Sequence, residues 1–446
     1  MNLAFIGTGY VGLVSGVCFA QLGHRVICLD NDREKIAQLK AGYIPIYEPG
    51  LEELFFKNVK NGRLHFTDDF QTTVDSSEVI FITVGTPNKG NGEADLSAIE
   101  AVTQKIGSLI TSYKLVVEKS TVPVETGKWI EYTIRLNSRG GVQFDVASNP
   151  EFLREGSAVE DFLKPDRIVI GVESTRAEKI LRELYRSFEV PIIVTDIKSA
   201  EIIKHTSNSF LSTKISFINA VANLCERVGA DVVKVSEAIG LDRRIGKDFL
   251  KAGIGFGGSC FPKDIAAFIH LAEKGGYDFK LLKVVQEINQ YQRELLIQKI
   301  KNALWILEGK TIGILGLAFK PGTDDLRNAP SLTLIEAMLK EETKIRAYDP
   351  KAMEKAKKIF PQLTYCSSAY EVAEGSDCLV LLTEWEEFKT VQWSTIKSLM
   401  RQPILVDGRN FYDPLELAQL GFHYIGIGRK EIRPQESRIA EWIKSI

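Results

Sequence analysis

The chain has 446 residues, 44% hydrophobic and 26% charged. That suits two or three globular domains and excludes collagen-like, disordered and disulfide-scaffold chains. With 56 Lys and Arg against 58 Asp and Glu the formal net charge is -2, which gives no electrostatic basis for a nucleic-acid partner or for binding an anionic membrane. Six cysteines (Cys18, Cys28, Cys225, Cys260, Cys366 and Cys378) form no CxxC, and the five His show no ligand spacing, so the expectation is reduced thiols and no metal site. The N-terminal apolar run lacks a positive n-region and is broken by glycines, and no other stretch approaches the ~20 apolar residues that span a bilayer. The expected setting is cytoplasmic, without membrane insertion.

Strand and helix signals alternate from the first residue. A short apolar run at 2–7 leads into a helical stretch ending at Gly23, and a second apolar run follows at 25–30. Runs at 79–84, 115–117 and 167–172 are continuously apolar rather than alternating, the pattern of strands covered on both faces of a parallel sheet. Between the first two runs lies Gly7-Thr8-Gly9-Tyr10-Val11-Gly12, after a strand and opening a helix. In that setting Gly7 allows a tight turn, Gly9 lets backbone approach a pyrophosphate, and Gly12 lets helix pack closely on strand, while the helix N-terminus supplies donors to phosphate. Asp30, ending the next strand, is placed to bind an adenosine ribose diol and repel a 2′-phosphate, which favours NAD over NADP; Arg33 and Lys35 weaken that preference slightly. Tyr10, Val11, Lys35 and Thr86 complete the candidate cofactor residues on this side. Two loops, Lys119-Ser120-Thr121-Val122-Pro123 and Asn149-Pro150-Glu151-Phe152-Leu153-Arg154-Glu155, follow strands at the end of such a sheet that faces ligand; Thr121 and Glu151 stand out there, with helix-start roles as the alternative.

Residues 199–228 contain neither Gly nor Pro, and apolar residues recur at three and four. This predicts one helix, capped by Asp196 or Ser199 and ended by Gly229. A helix this long, apolar around much of its circumference, crosses between domains or forms a dimer interface. Lys204 and Asn208 stand one turn apart on it, so both can point at one ligand; the alternative is a solvated stripe. Helical signals continue to about residue 307, broken by GIGFGGSCFPKD at 253–264. Pro262 suits the first turn of a helix, which puts Cys260 just outside a helix N-terminus where the dipole favours a thiolate, with Lys263 close by and Asp264 one turn on. The preceding glycines are expected to leave room for a substrate beside the sulfur. Cys18, Cys28, Cys225 and Cys378 lie in apolar periodic segments and read as small hydrophobes, and Cys366 has no supporting motif.

The last third repeats the first. TIGILG at 311–316 parallels LAFIG at 3–7, IRAYD at 345–349 parallels VICLD at 26–30, and SDCLVLLT at 376–383 parallels SSEVIFIT at 76–83, three matches in order. The fold class is therefore α/β: two Rossmann-like doubly wound parallel-sheet domains, residues 1–195 and 309–446, joined by a long central helix and helical domain at 196–308.

GTGYVG, KSTVP, NPEFLREG, EIIKHTSNSFLSTKISFINA, FLKAGIGFGGSCFPKD, GLAFKPGTDDLRNAPS and DGRN occur in this order over nearly the whole chain, which thereby resembles the UDP-glucose/GDP-mannose dehydrogenase family, with GGSCFPKD nearer the UDP-glucose branch. One departure is Glu125, where the family usually has Gly after STVPV. The resemblance implies a four-electron oxidation of UDP-glucose at its C6 alcohol to UDP-glucuronate, with two NAD+ and one water, by a homodimer or larger assembly. It implies Lys204 or a water held by Asp264 as base, attack of the Cys260 thiolate on the aldehyde, Lys204 and Asn208 at the oxyanion, and thioester hydrolysis by a water positioned by Thr121, Glu151 or Asp264. It places Glu151, Phe152, Leu153, Arg154, Glu155, Lys204, Asn208, Phe249, Leu250, Lys251, Gly253, Gly257 and Cys260 at the substrate. Lys320 and Arg409 join them from the C-terminal domain, and Arg244 from across the dimer interface. Thr121, Glu155, Lys263 and Arg327 fall on the cofactor side. The rival readings are GDP-mannose oxidation by the same mechanism, a two-electron dehydrogenase with a Lys/Asn helix but no thiol loop, and a non-catalytic NAD- and nucleotide-binding module.

Overall fold

The computed structural model describes residues 1–434. The chain folds into two compact units, Met1–Asn208 with Lys263–Asp278, and Ser209–Pro262 with Phe279 onward.

The first unit is built on eight strands: β1 (Asn2–Ile6), β2 (Arg25–Leu29), β3 (Leu64–Thr67), β4 (Val79–Ile82), β5 (Lys114–Glu118), β6 (Phe144–Ser148), β7 (Ile168–Val172) and β8 (Ile192–Thr195). Their order is β3-β2-β1-β4-β5-β6-β7-β8, so the chain reverses direction across the sheet beside β1, the doubly wound arrangement. β1 pairs in parallel with β2 from Asn2↔Arg25 to Ile6↔Leu29, and with β4 from Leu3↔Val79 to Ile6↔Ile82. Both faces are covered: Leu3, Phe5, Val79 and Phe81 enter one core cluster, while Ala4, Ile6, Ile80 and Ile82 enter another. One junction departs from the parallel pattern. β6 meets β7 antiparallel, Ala147 opposite Val172. A continuous apolar run reports burial on two faces and carries no information about strand direction.

Helix α1 (Tyr10–Gln21) follows β1 almost at once, and α2 (Thr126–Asn137) follows β5. Helix α3 (Ile197–Val228) begins where Asp196 Oδ1 accepts from the Ser199 N–H at 2.9 Å and ends before Gly229, which has φ +76°. The division between units falls inside α3, after Asn208, and inside α4 (Phe261–Lys274), after Pro262.

The second unit contains α5 (Lys280–Leu304) and six strands, β9 (Thr311–Leu315), β10 (Lys344–Tyr348), β11 (Thr364–Tyr365), β12 (Cys378–Leu381), β13 (Ile404–Asp407) and β14 (His423–Ile425), in the all-parallel order β11-β10-β9-β12-β13-β14. Its first long helix after β9 is α6 (Pro330–Lys340). Ile218, Ala222 and Cys225 of α3 and Leu296, Ile300 and Leu304 of α5 share a core with Ile312, Ile314, Val380 and Val406 of the sheet. The C-terminal part of α3 is thus anchored on one side, and on the other it exposes Phe210, Phe217, Leu224 and Val228. Among the described residues no helix is long and apolar enough to cross a membrane.

Candidate active site

The turn after β1 is shaped by its glycines. Gly7 has φ +102°, and a Cβ there would lie 2.8 Å from the Thr83 carbonyl oxygen. A Cβ on Gly12 would lie 1.9 Å from the Gly7 oxygen, so α1 can begin this close to the turn only without a side chain. Gly9 differs: a Cβ there meets no atom of the described residues within 4 Å. Bare backbone facing open space at the start of a helix is what a pyrophosphate cradle requires. Asp30 is buried and accepts from the Thr8 N–H at 2.9 Å, the Thr8 hydroxyl at 2.7 Å, the Asp32 N–H at 3.1 Å and Lys35 Nζ at 2.8 Å. Burial works to raise its carboxyl, but Lys35, Thr8 and Asp32 together hold it below the ordinary value. Val11 is half-buried in α1, and the Tyr10 hydroxyl donates to Glu48, a buried carboxylate that also accepts from the Gly156 and Ala158 N–H groups at 2.7 Å each. The glycine turn, the α1 N-terminus and the ionised Asp30 fit NAD.

In the same unit the buried face of α3 carries Glu201, Lys204, His205 and Asn208. Lys204 Nζ lies 3.1 Å from Glu151 Oε1, with both side chains almost fully enclosed, and 5.5 Å from the centre of the Phe152 ring. Asn208 Nδ2 donates to Asp264 Oδ2 at 2.6 Å. Lys263 Nζ lies 3.1 Å from Asp264 Oδ1 and donates to the Thr86 hydroxyl at 3.2 Å, which donates in turn to the Thr121 carbonyl at 2.8 Å. The fold therefore brings Thr86, Thr121, Glu151, Phe152, Lys204, Asn208, Lys263 and Asp264 into linked pairs, and the burial of Lys204 and Asn208 excludes a solvated stripe. Leu153 gives its N–H to Glu151, Glu155 is buried, and Arg154 turns to an exposed bidentate pairing with Asp161.

The Thr121 loop is held from α3 by residues that periodicity did not single out. His205 Nε2 donates to the Val122 carbonyl at 2.7 Å, and Glu201 accepts from the N–H groups of Glu125 and Gly127, both at 2.7 Å, capping α2. Burial lowers His205 and lifts Glu201 to about 7. Glu125 itself has φ +79°, which explains why glycine suits this position.

In the second unit Cys260 is the residue immediately before α4 and is half-buried, its Sγ 3.6 Å from the Ser259 hydroxyl. The other five thiols are buried; burial pushes Cys18 and Cys28 up to about 12 and raises Cys225, Cys366 and Cys378 as well. The expectation that the neighbouring glycines leave room for substrate is corrected. A Cβ would lie 2.9 Å from the Gly408 oxygen at Gly253, 2.5 Å from Asn289 Oδ1 at Gly255, 2.4 Å from the Asn328 oxygen at Gly257 and 2.9 Å from the Phe319 ring at Gly258. Protein occupies that space, and the glycines let the loop run against the strand-end loops of the second sheet.

Four side chains absent from the sequence reading hold this loop. Asn219 accepts from the Gly253 N–H at 2.9 Å, Asn289 from the Phe256 N–H at 2.7 Å, Gln292 donates to the Gly253 oxygen at 3.0 Å, and Arg293 donates to the oxygens of Phe256 and Asn328 at 3.0 and 2.9 Å. Arg409 donates to the Leu382 and Phe319 oxygens and pairs with Glu384 at 3.3 Å. Lys320 lies 5.4 Å from the Phe319 ring centre, and the Arg327 carbonyl accepts from the Gly258 N–H while its guanidinium pairs with Asp325. Phe249 has φ +63°, Leu250 is buried and Lys251 exposed. Arg244 stands apart, highly exposed and paired with Asp242 at 2.6 Å.

Residues 1–189 match the NAD binding domain of the UDP-glucose/GDP-mannose dehydrogenase family, 198–291 its central domain and 313–414 its UDP binding domain. The chain is 48% identical over 436 residues to a UDP-glucose 6-dehydrogenase of Bacillus subtilis, covering 98% of this chain and 95% of that one. Among solved structures, a UDP-glucose dehydrogenase from Pyrobaculum islandicum superposes with a TM-score of 0.90 at 40% identity, covering 96% of this chain and 98% of that one. A UDP-D-ManNAc dehydrogenase from Pyrococcus horikoshii does so with a TM-score of 0.84 at 30% identity, covering 96% and 99%.

Proposed function

The chain belongs to the UDP-glucose/GDP-mannose dehydrogenase family, and we propose that it oxidises UDP-glucose to UDP-glucuronate with two NAD+ and one water. The observation that carries the reading is the half-buried thiol immediately before α4, in a chain whose other five thiols are buried. A two-electron alcohol oxidation has no use for such a nucleophile; an oxidation that continues through the aldehyde does.

Gly7, Gly9, Gly12 and Asp30 would hold NAD+, which would supply the hydride acceptor for each oxidation. Lys204, or a water held by Asp264, takes the C6 hydroxyl proton as the first hydride leaves. The Cys260 sulfur then bonds to the aldehyde carbon, and Lys204 and Asn208 offer a cation and an amide donor to the resulting oxyanion. Loss of the second hydride re-forms the carbonyl as a thioester on Cys260. A water positioned by Thr121, Glu151 or Asp264 adds to that carbonyl, the C–S bond breaks, and the thiolate leaves as the carboxylate forms. Lys320 and Arg409 bind the UDP end. In this reading residues 1–195 serve the cofactor, 196–308 carry the thiol loop and self-association, and 309–446 bind the nucleotide, of which 435–446 lie outside the described residues.

Self-association as a homodimer uses α3, whose Phe210, Phe217, Leu224 and Val228 are 65%, 56%, 59% and 68% exposed at helical spacing, a stripe a monomer would leave in water. The exposed Arg244 would leave its pairing with Asp242 to reach a second copy. Cys260→Ser tests the chemistry: acid formation is expected to fall on the order of a thousand-fold or more with NAD+ binding retained. Undiminished UDP-glucuronate formation by that variant would sink the mechanism.

A further inference from the structure

Beneath the residues assigned to chemistry lies a buried amine that the mechanism above does not use. Lys119 directly follows β5, its backbone N–H fixed to the Ile82 oxygen at 3.1 Å. The side chain is 4% exposed, and Nζ donates to Asn149 at Oδ1 (3.0 Å) and at the carbonyl oxygen (3.3 Å). Asn149 is held on every side: Oδ1 also accepts from the Tyr185 hydroxyl, Nδ2 donates to the Val169 oxygen at 2.8 Å, and its N–H donates to the Glu118 oxygen at 2.8 Å. Glu151 comes two residues later.

The charges around this amine do not balance simply. Glu151 and Glu118 attract it and Lys204 repels it. Glu118 is fully buried, with Oε2 accepting from Ser148 at 2.9 Å and Oε1 without a hydrogen-bond partner among the described residues; burial, reinforced by the nearby Glu201, pushes its carboxyl well up. Glu151 lies 3.1 Å from Lys204 and also acts electrostatically on Lys119. Burial brings Lys119 down to about 8, and the nearby Lys204 adds to that fall.

We propose that Lys119 is a positioning residue for the oxidation: through Asn149 it pins the loop that carries Glu151, and it adds a second positive charge to the buried Glu151–Lys204 pair. The proposal rests on the reading that Glu151 and Lys204 act at the sugar. Removing the charge at position 119 strengthens proton binding at both Glu151 and Lys204, so the acid limb of the pH–rate profile moves to higher pH whichever group sets it.

The test uses the full-length enzyme. Wild type is first checked for two NADH per UDP-glucose; one NADH would count against the thiol reading and not against Lys119. Profiles of kcat and kcat/KM against pH are then recorded for Lys119→Met, Lys119→Gln and Lys119→Arg, with thermal melts alongside. Lys119→Gln retains a donor for Asn149 and loses the charge; Lys119→Arg retains the charge. Expected are an acid limb displaced upward by about one unit in the Met and Gln variants, roughly tenfold lower kcat at neutral pH, an unchanged KM for NAD+, and a limb left in place by Arg. A rate lowered equally at every pH with the limb fixed would reduce Lys119 to a structural part and overturn the proposal, as would an Arg variant that shifts like Gln.

Discussion

The two sheets open with the same turn and use it for different ends. After β1, Gly7 at φ +102° leads within three residues to α1; after β9, Gly316 at φ +88° is followed by a loop, and α6 begins only at Pro330. Thr83 and Thr383 fill the same place behind the two turns, each donating its hydroxyl to a carbonyl of the loop. The acids that end β2 and β10 part company. Asp30 accepts from Thr8, Asp32 and Lys35, with the lysine itself partly exposed. Asp349 is sealed in, accepting from the N–H groups of Leu317 (2.7 Å), Ala318 (3.0 Å), Lys351 and Ala352 (2.8 Å each) and from the Trp385 indole (3.0 Å). Ala318 stands where the first turn has Gly9. A dinucleotide cradle needs a bare backbone, a helix N-terminus and an acid with capacity left over. The first sheet has all three. The second has spent its acid on its own loop and presents Lys320 and Arg409 in place of a helix end.

The largest effect expected from that contrast is on stability. Asp349→Ala leaves five donors unpaired and should cost about 3 kcal/mol or more, seen as a large drop in Tm; a drop no greater than that of Asp30→Ala would erase the distinction. Asp30→Ala should instead weaken NAD+ binding by roughly 10–100-fold and improve the relative use of NADP+, measured by titration calorimetry and by rates with each cofactor. The glycines separate in the same way. Gly12→Ala meets the Gly7 oxygen at 1.9 Å and should unfold at markedly lower temperature, whereas Gly9→Ala should melt within about 1 °C of wild type while binding NAD+ on the order of tenfold more weakly. The smallest change is a gain: Glu125→Gly relieves a left-handed backbone and should raise Tm by about 1–2 °C, even though it gives up an exposed pairing with Lys198. A lower Tm would mean that the pairing outweighs the strain.

Much of the site was legible because its signals are local. The glycine turn and Asp30 lie on consecutive elements, Lys204 and Asn208 one turn apart, and Cys260 against Pro262 at a helix start, so spacing alone groups them. What could not be read were side chains whose partners are backbone groups far along the chain. Glu48 meets Gly156 and Ala158, Glu201 meets Glu125 and Gly127, and Asn219 and Gln292 meet Gly253. One signal was available: Glu201, Lys204, His205 and Asn208 recur at three and four on a helix that is otherwise largely apolar, and such a polar row must be satisfied from within. The glycines at 253–258 were read for the wrong reason, since a sequence shows that side chains are absent but not what takes their place. Strand direction at β7 was equally hidden, being decided by connection geometry and not by composition.

The central claim is that one thiol carries a sugar nucleotide through two successive oxidations. It is tested most directly by the NADH released per mole of limiting UDP-glucose in excess NAD+, with GDP-mannose in a parallel reaction. The account predicts two NADH and UDP-glucuronate from UDP-glucose, and no comparable turnover of GDP-mannose. A yield of one NADH, with the aldehyde as product, would contradict it.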